Sequence, residues 1–308
     1  MQHPDIFNNH GRRGFVKTAT ILAGASMITA IPGVGLARGL SAAPAALTVK
    51  QVIDVFLSET PNAPFPRTVD QLRSGSMDQE VTGVVTTMFP TIDVINKTIK
   101  AGANFIVAHE TPFFNNEDAT DWLKDDDVYH YKMDLLNKNK IAIWRFHDQW
   151  HGHKPDGIAM GNLIKLGWEK QYDANSPRMV TLAAPMPLGS IVSLVKKRLD
   201  IPSVRLVGDL KQPISTVYLA FGYMDSKAQI AAIEKMKPDL ILSGETREWE
   251  TVERVRDGLA AGQKTTLMVL SHSVSEEAGM EYAANLFQPK LPGIKITHIA
   301  SGTPFQYV

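Results

Sequence analysis

Side chains able to hold a divalent cation stand at the ends of four apolar runs in this chain. Asn104-Phe-Ile-Val-Ala leads to His109-Glu110, and Ile141-Ala-Ile-Trp-Arg-Phe leads to His147-Asp148. Asp239-Leu-Ile-Leu-Ser-Gly leads to Glu245, and Thr265-Thr-Leu-Met-Val-Leu-Ser leads to His272. A short apolar run bounded by turn residues reads as a strand buried on both faces, and ligands of open α/β sheets bind at the carboxyl ends of strands. Four such ends carrying His, Glu and Asp predict one polar cluster at one edge of a sheet. Imidazole and carboxylate together are ligands for first-row metals.

Each group also has a plainer reading. His109-Glu110 could be a surface pair after a strand, or two adjacent ligands able to bridge two ions. His147-Asp148-Gln149-Trp150-His151-Gly152-His153 packs three of the chain's nine histidines and an aspartate into one polar loop, which could be simply solvated. His272 and Glu276 fall one turn apart if a helix starts at once, so both could reach one ion. Ser273-Val-Ser-Glu276 equally fits a capping box, which would account for the glutamate alone. Glu245 and Glu248 lie three residues apart at an expected helix start, where acidic residues suit the dipole. They read as substrate-side groups rather than primary ligands.

The elements that must position these residues alternate. Strands are predicted near 81–88, 105–108, 141–146, 180–184, 204–206, 216–222, 240–242, 266–270 and 295–299, with helices near 48–57, 90–102, 129–139, 158–166, 190–199, 227–236, 247–261 and 275–286. Such alternation defines an α/β architecture with parallel strands and right-handed crossovers. A composition break near 173–178 marks a domain joint.

The chain has 308 residues and no cysteine, so disulfides and thiolate metal sites are excluded and any metal must sit on N and O ligands. Asn9-His-Gly-Arg12-Arg13-Gly-Phe-Val-Lys17 precedes a small-residue apolar stretch from Thr18 to Leu36. Paired arginines before a modest apolar segment read as a twin-arginine export signal over residues 1–45. Pro32 and several glycines argue against a membrane anchor. Cleavage after Ala37 or after Ala45 both fit. This implies a bacterial periplasmic or exported protein. The signal segment carries Arg12, Arg13, Lys17 and Arg38 against Asp5, a net of +3, in a chain that is neutral overall. The remainder is mildly acidic, without a basic run, and is a poor candidate for nucleic acid or anionic membrane.

Taken in order, these residues resemble the NIF-three-like dinuclear-metal family. The carriers are His109-Glu110-Thr-Pro112-Phe113-Phe114, His147 to His151 before Asp156-Gly157-Ile158, Ser243-Gly244-Glu245, Ser271-His272-Ser-Val-Ser-Glu276 and Gly302-Thr-Pro304-Phe305. The resemblance implies two α/β domains interleaved in sequence, residues 46–175 with 264–308 and residues 176–263, with mixed or parallel sheets and flanking helices. It implies a ring-shaped homohexamer and two divalent ions per chain, of zinc, manganese or iron. Carried over, His109, His272 and Glu276 would be ligands, with Glu110 in place of a second histidine. His151 would replace the aspartate and His147 would match the histidine before it, while a shifted register would make Asp148 the carboxylate. The expected activity is metal-dependent hydrolysis of an unidentified small molecule, with two ions roughly 3.5–4 Å apart and Glu245 or Glu248 as proton shuttle. A metal-binding or scaffold protein without turnover is the alternative.

Overall fold

A computed structural model describes residues 46–308. The export segment expected over residues 1–45 lies outside the described residues. Helix α1 (Val49–Ser58) opens the fold behind a capping box in which Thr48 and Gln51 satisfy each other's backbone amides. Then follow β1 (Leu72–Ser74), β2 (Val84–Thr87), α2 (Ile92–Lys100), β3 (Phe105–Ala108), α3 (Asp127–Lys138), β4 (Ala142–Arg145), α4 (Asp148–Gly152) and α5 (Gly157–Leu166). The second half contains β5 (Met179–Pro187), α6 (Leu188–Leu199), β6 (Arg205–Val207), β7 (Pro213–Tyr223), α7 (Ser226–Met236), β8 (Leu240–Glu245), α8 (Glu253–Ala260), β9 (Thr266–Val269), α9 (His272–Phe287) and β10 (Ile296–His298).

The strands form two five-stranded mixed sheets, in the orders β1-β4-β3-β2-β10 and β5-β7-β8-β9-β6. In the first, β10, β2, β3 and β4 run parallel and β1 is antiparallel. In the second, β7, β8 and β9 run parallel between antiparallel edges. Strands β2, β3, β4 and β9 are buried at every position. That is why they read as unbroken apolar runs. Each sheet is covered on both faces. Phe56, Trp150 and Phe287 build the core on one side of the first sheet, and Ile95 and Leu136 that on the other. Leu163, Ile191 and Leu242 share one face of the second sheet, and Ile233 and Val255 the other.

Two expectations need correction. The four strand ends do not share one sheet: β3 and β4 belong to the first, β8 and β9 to the second. And β9 hydrogen-bonds to β8 and β6, so the return to the first sheet comes after residue 269 rather than at 264. Helix α9 then packs on strands of both sheets, including β2, β10, β7 and β8.

Helices α5 and α9 meet through glycine. A Cβ on Gly161 would sit 2.4 Å from the Ala278 carbonyl oxygen, and one on Gly279 would sit 2.6 Å from Ile158 Cα. Backbone cannot yield as a flexible side chain can, so Gly161→Ala is expected to destabilise the fold by roughly 1–3 kcal/mol. The urea midpoint measures this. An unchanged midpoint would show that the two helices can separate freely.

Candidate metal centre

The loop expected from His147 to Gly157 begins as a short helix, α4. Its first amides are satisfied from far away in sequence: the Asp70 carboxylate accepts from the N–H groups of His147, Asp148 and Gln149 at 2.8–3.0 Å. The helix sets His147 and His151 one turn apart. Asp148 is turned away from them as a ligand. Its Oδ2 accepts from Thr68 Oγ1 and the Val69 amide, and its Oδ1 lies 3.0 Å from His147 Nδ1. Asp148 therefore orients His147. His153 is also absent from the centre; it packs its ring 4.9 Å from Trp150.

Helix α9 starts directly after β9, at His272, so His272 and Glu276 do share its first turn. The capping box over Ser273–Glu276 does not form, because the cap residue is Ser271 and Glu276 faces His272 instead. Room for this turn comes from Gly222 and Gly244 at the ends of β7 and β8. A Cβ on Gly222, whose φ is +61°, would lie 2.2 Å from Glu276 Oε1, and one on Gly244 would lie 2.3 Å from Ser275 Oγ.

Six residues thus converge in two trios. The ligand atoms of His109, His147 and His151 lie within 4.8 Å of one another, as do those of Glu110, His272 and Glu276. The two carboxylates join the trios. Glu110 Oε1 is 3.5 Å from His147 Nε2 and 3.4 Å from His272 Nε2. Glu276 Oε2 is 3.5 Å from His109 Nε2 and 3.1 Å from His272 Nε2.

All four imidazoles are held by Nδ1. His109 pairs with the Phe146 carbonyl at 3.1 Å, His147 with Asp148 at 3.0 Å, His151 with Asp156 at 2.9 Å and His272 with Glu245 at 3.1 Å. Each Nε2 is left for the centre, the arrangement that second partners impose on metal-binding histidines. His109 is fully buried, and its Nε2 has no hydrogen-bond partner. A buried polar atom without a partner is costly, and a cation among these donors would satisfy it. The donor set fits a first-row divalent metal.

The electrostatics agree. Burial, reinforced by His147 and His151, pushes the His109 pKa well below its ordinary value. Burial works against ionising Glu110, but hydrogen bonds from His147 and His272 outweigh it and hold that carboxyl below the usual range. Burial likewise opposes the charged form of His147, yet Asp148 and Glu110 raise it to about 9. Against the same opposition, Glu110, Glu245 and Glu276 raise His272 to about 12.

Glu245 ends β8 and reaches the centre through His272. Glu248 does not. Strand β8 runs on to Glu245, and a π-helical turn (Glu248–Val252) follows instead of a regular helix start. Glu248 is exposed and bonds Arg205 Nη1 at 2.7 Å.

The sequence reading missed Arg145, Asp118 and Asp156. Arg145 is fully buried beneath the centre, with Nη2 2.7 Å from Glu110 Oε2. Asp118 accepts from Arg145 Nη1 and forms an ion pair with Arg73, whose Nε lies 2.9 Å away. A charge inside the apolar run Ile141–Phe146 was the available signal for Arg145. Asp156 caps α5 with Oδ1 and holds His151 with Oδ2. Asp156→Asn keeps a capping oxygen but loses the carboxylate, so metal affinity is expected to fall about 10–100-fold with the fold intact. Competition against a chromogenic chelator measures it, and wild-type affinity would remove Asp156 from the account.

The centre lies in the wall of a cavity of about 1420 Å³ whose lining includes Phe89, Phe221, Tyr223, Arg178 and Lys154. A second cavity of about 880 Å³ adjoins it at His272 and is bounded by the C-terminal segment 301–307.

Two mixed α/β sheets meeting at a His/Glu cluster define a candidate metalloprotein of the α/β class. The family model Duf34/NIF3 (NGG1p interacting factor 3) matches residues 68–304, and the chain belongs to that family. A protein of Clostridium perfringens named GTP cyclohydrolase 1 type 2 homolog is 25% identical over 185 residues, covering 57% of this chain and 68% of the relative. Among solved structures, Staphylococcus aureus protein SA1388 superposes with a TM-score of 0.67 at 19% identity, over 85% of this chain and 99% of that one. A Bacillus cereus protein related to NIF3 gives 0.67 at 16% identity, over 85% and 99%. Reduced HcgD from Methanocaldococcus jannaschii gives 0.62 at 17%, over 82% and 97%. At these identities the solved structures speak for the fold alone.

Proposed function

We propose that this chain is a metal-dependent hydrolase with a dinuclear centre. The observation that carries the reading is the pair of donor trios joined by Glu110 and Glu276 in the wall of a large cavity. Two ions bound there would supply Lewis acidity and an acidified water. The chain's own groups do the rest. His109, His147 and His151 would hold one ion, and Glu110, His272 and Glu276 the other. Glu245, half exposed and bonded to His272 Nδ1, would carry a proton between the centre and solvent.

The substrate class is a phosphoester, or an amide or ring C–N bond. The name carried by the clostridial relatives points to the ring C–N case. The twin-arginine motif supports a periplasmic or exported location, where GTP is scarce, so a nucleotide is not part of the proposal. Among the described residues no helix is long and apolar enough to cross a membrane. The homohexamer implied by the resemblance belongs to the same proposal.

The test is a hydrolase screen of metal-loaded protein beside His272→Ala. Turnover of one of these bond types, lost in the variant, is the expected result. Full activity in the variant would overturn it. A metal-handling protein without turnover is the second reading, favoured by the departure of Glu248 from the centre. It predicts ions that exchange readily on dialysis, with a silent screen.

A further inference from the structure

We propose that the two ion positions are chemically unequal and that the chain assembles a mixed-metal centre. Zinc would occupy the imidazole trio His109, His147 and His151, and manganese(II) or iron(II) the carboxylate trio Glu110, His272 and Glu276. The proposal rests on the dinuclear reading above.

The donors divide by type. The first trio offers three nitrogens and no formal charge, a donor set that suits zinc. Two of its imidazoles are backed by carboxylates, Asp148 behind His147 and Asp156 behind His151, which makes their Nε2 atoms stronger donors. The second trio offers two anionic oxygens and one nitrogen, and oxygen-rich sets suit the harder manganese. Arg145 sharpens the difference. Its guanidinium holds Glu110 Oε2 at 2.7 Å, so Glu110 presents only Oε1 to the centre and stays anionic in a buried place. Glu276 directs its Oε2 at His272 and His109. Glu110 therefore has one oxygen directed at the imidazoles and its second is held away from them by Arg145. Zinc in excess outcompetes manganese at most sites, so the difference shows when zinc is limiting.

The experiment uses the protein as isolated, stripped of metal, given one equivalent of zinc per chain with excess manganese, and desalted. Native mass spectrometry and electron paramagnetic resonance are the readouts. The expected result is one dominant species with one zinc and one manganese per chain, and the spectrum of isolated manganese(II). A statistical mixture of two-zinc, mixed and two-manganese species, with the signal of a coupled manganese pair, would overturn the inequality while leaving the dinuclear centre standing. A chain that binds no ion would overturn both. His151→Asp places a carboxylate in the first trio at a part-exposed position and is expected to turn the single species into the mixture. If the order persists in that folded variant, the imidazole trio is not its source.

Discussion

His272→Ala is expected to remove metal and to destabilise the metal-free protein as well. His272 stands within 3.1–3.4 Å of three carboxylates, those of Glu110, Glu245 and Glu276. Without metal, its charged form is the one cation that faces all three of these carboxylates, Glu110 alone also meeting Arg145 and His147. Removing it takes away the group that pairs with all three carboxylates, and breaking a buried pair in this way costs about 3–5 kcal/mol. With metal present the variant also lacks the one ligand that lies close to both carboxylates, and affinity should drop by more than the roughly 10–100-fold typical of losing an outer partner. His109→Ala is the matched control. His109 is neutral, so its loss should weaken metal binding without the charge penalty. Chemical denaturation of both variants with and without zinc separates the two effects. Equal stability of the two metal-free variants would show that His272 is not the compensating cation.

Metal uptake at neutral pH should expel protons, with an affinity that climbs with pH. His147 is raised to about 9 and His272 to about 12, so both are protonated at pH 7 in the metal-free chain. Each ion needs one of these Nε2 lone pairs, that of His147 in the first trio and that of His272 in the second. Apparent affinity should rise about tenfold per pH unit for each proton displaced, for two protons up to about pH 9 and one above it. The metal-free fold behaves oppositely. A group whose folded pKa is raised stabilises most fully below its unfolded value, here 6.5, and that contribution is lost as pH climbs through the folded value. The window runs from about 6.5 to 9 for His147 and on toward 12 for His272. The gap in Tm between metal-loaded and metal-free protein should therefore be wider near pH 8.5 than near pH 6. Calorimetry in buffers of different ionisation enthalpy counts the protons. No proton release and a gap that ignores pH would refute this electrostatic picture.

Much of the centre was legible because parallel strands buried on both faces are written as apolar runs, and a polar residue closing such a run stands out. That logic found His109, Glu110, His147, Glu245 and His272, while one helical turn linked Glu276 to His272. Strand pairing is not written in periodicity, so the division of the four ends between two sheets could not be read. The short helix holding His147 and His151 depends on Asp70, 77 residues before His147; a local reading sees only a polar loop. Glu248 misled for a related reason. Ser243 and Gly244 are weak strand formers, yet pairing with β7 carries β8 through to Glu245, and that moves Glu248 out to Arg205. The charge inside an apolar run marked Arg145 but not its partner Glu110, 35 residues away, and Asp156 looked like an ordinary cap of α5 until the fold turned its second oxygen to His151.

Each donor trio, His109 with His147 and His151, and Glu110 with His272 and Glu276, would hold one ion. A crystal structure of the metal-loaded chain, with anomalous differences measured at the metal absorption edges, tests it directly. Two peaks are expected, one against His109, His147 and His151 and the other against Glu110, His272 and Glu276. Absence of peaks there at saturating metal, or peaks only at other histidines such as His130 or His298, would contradict it.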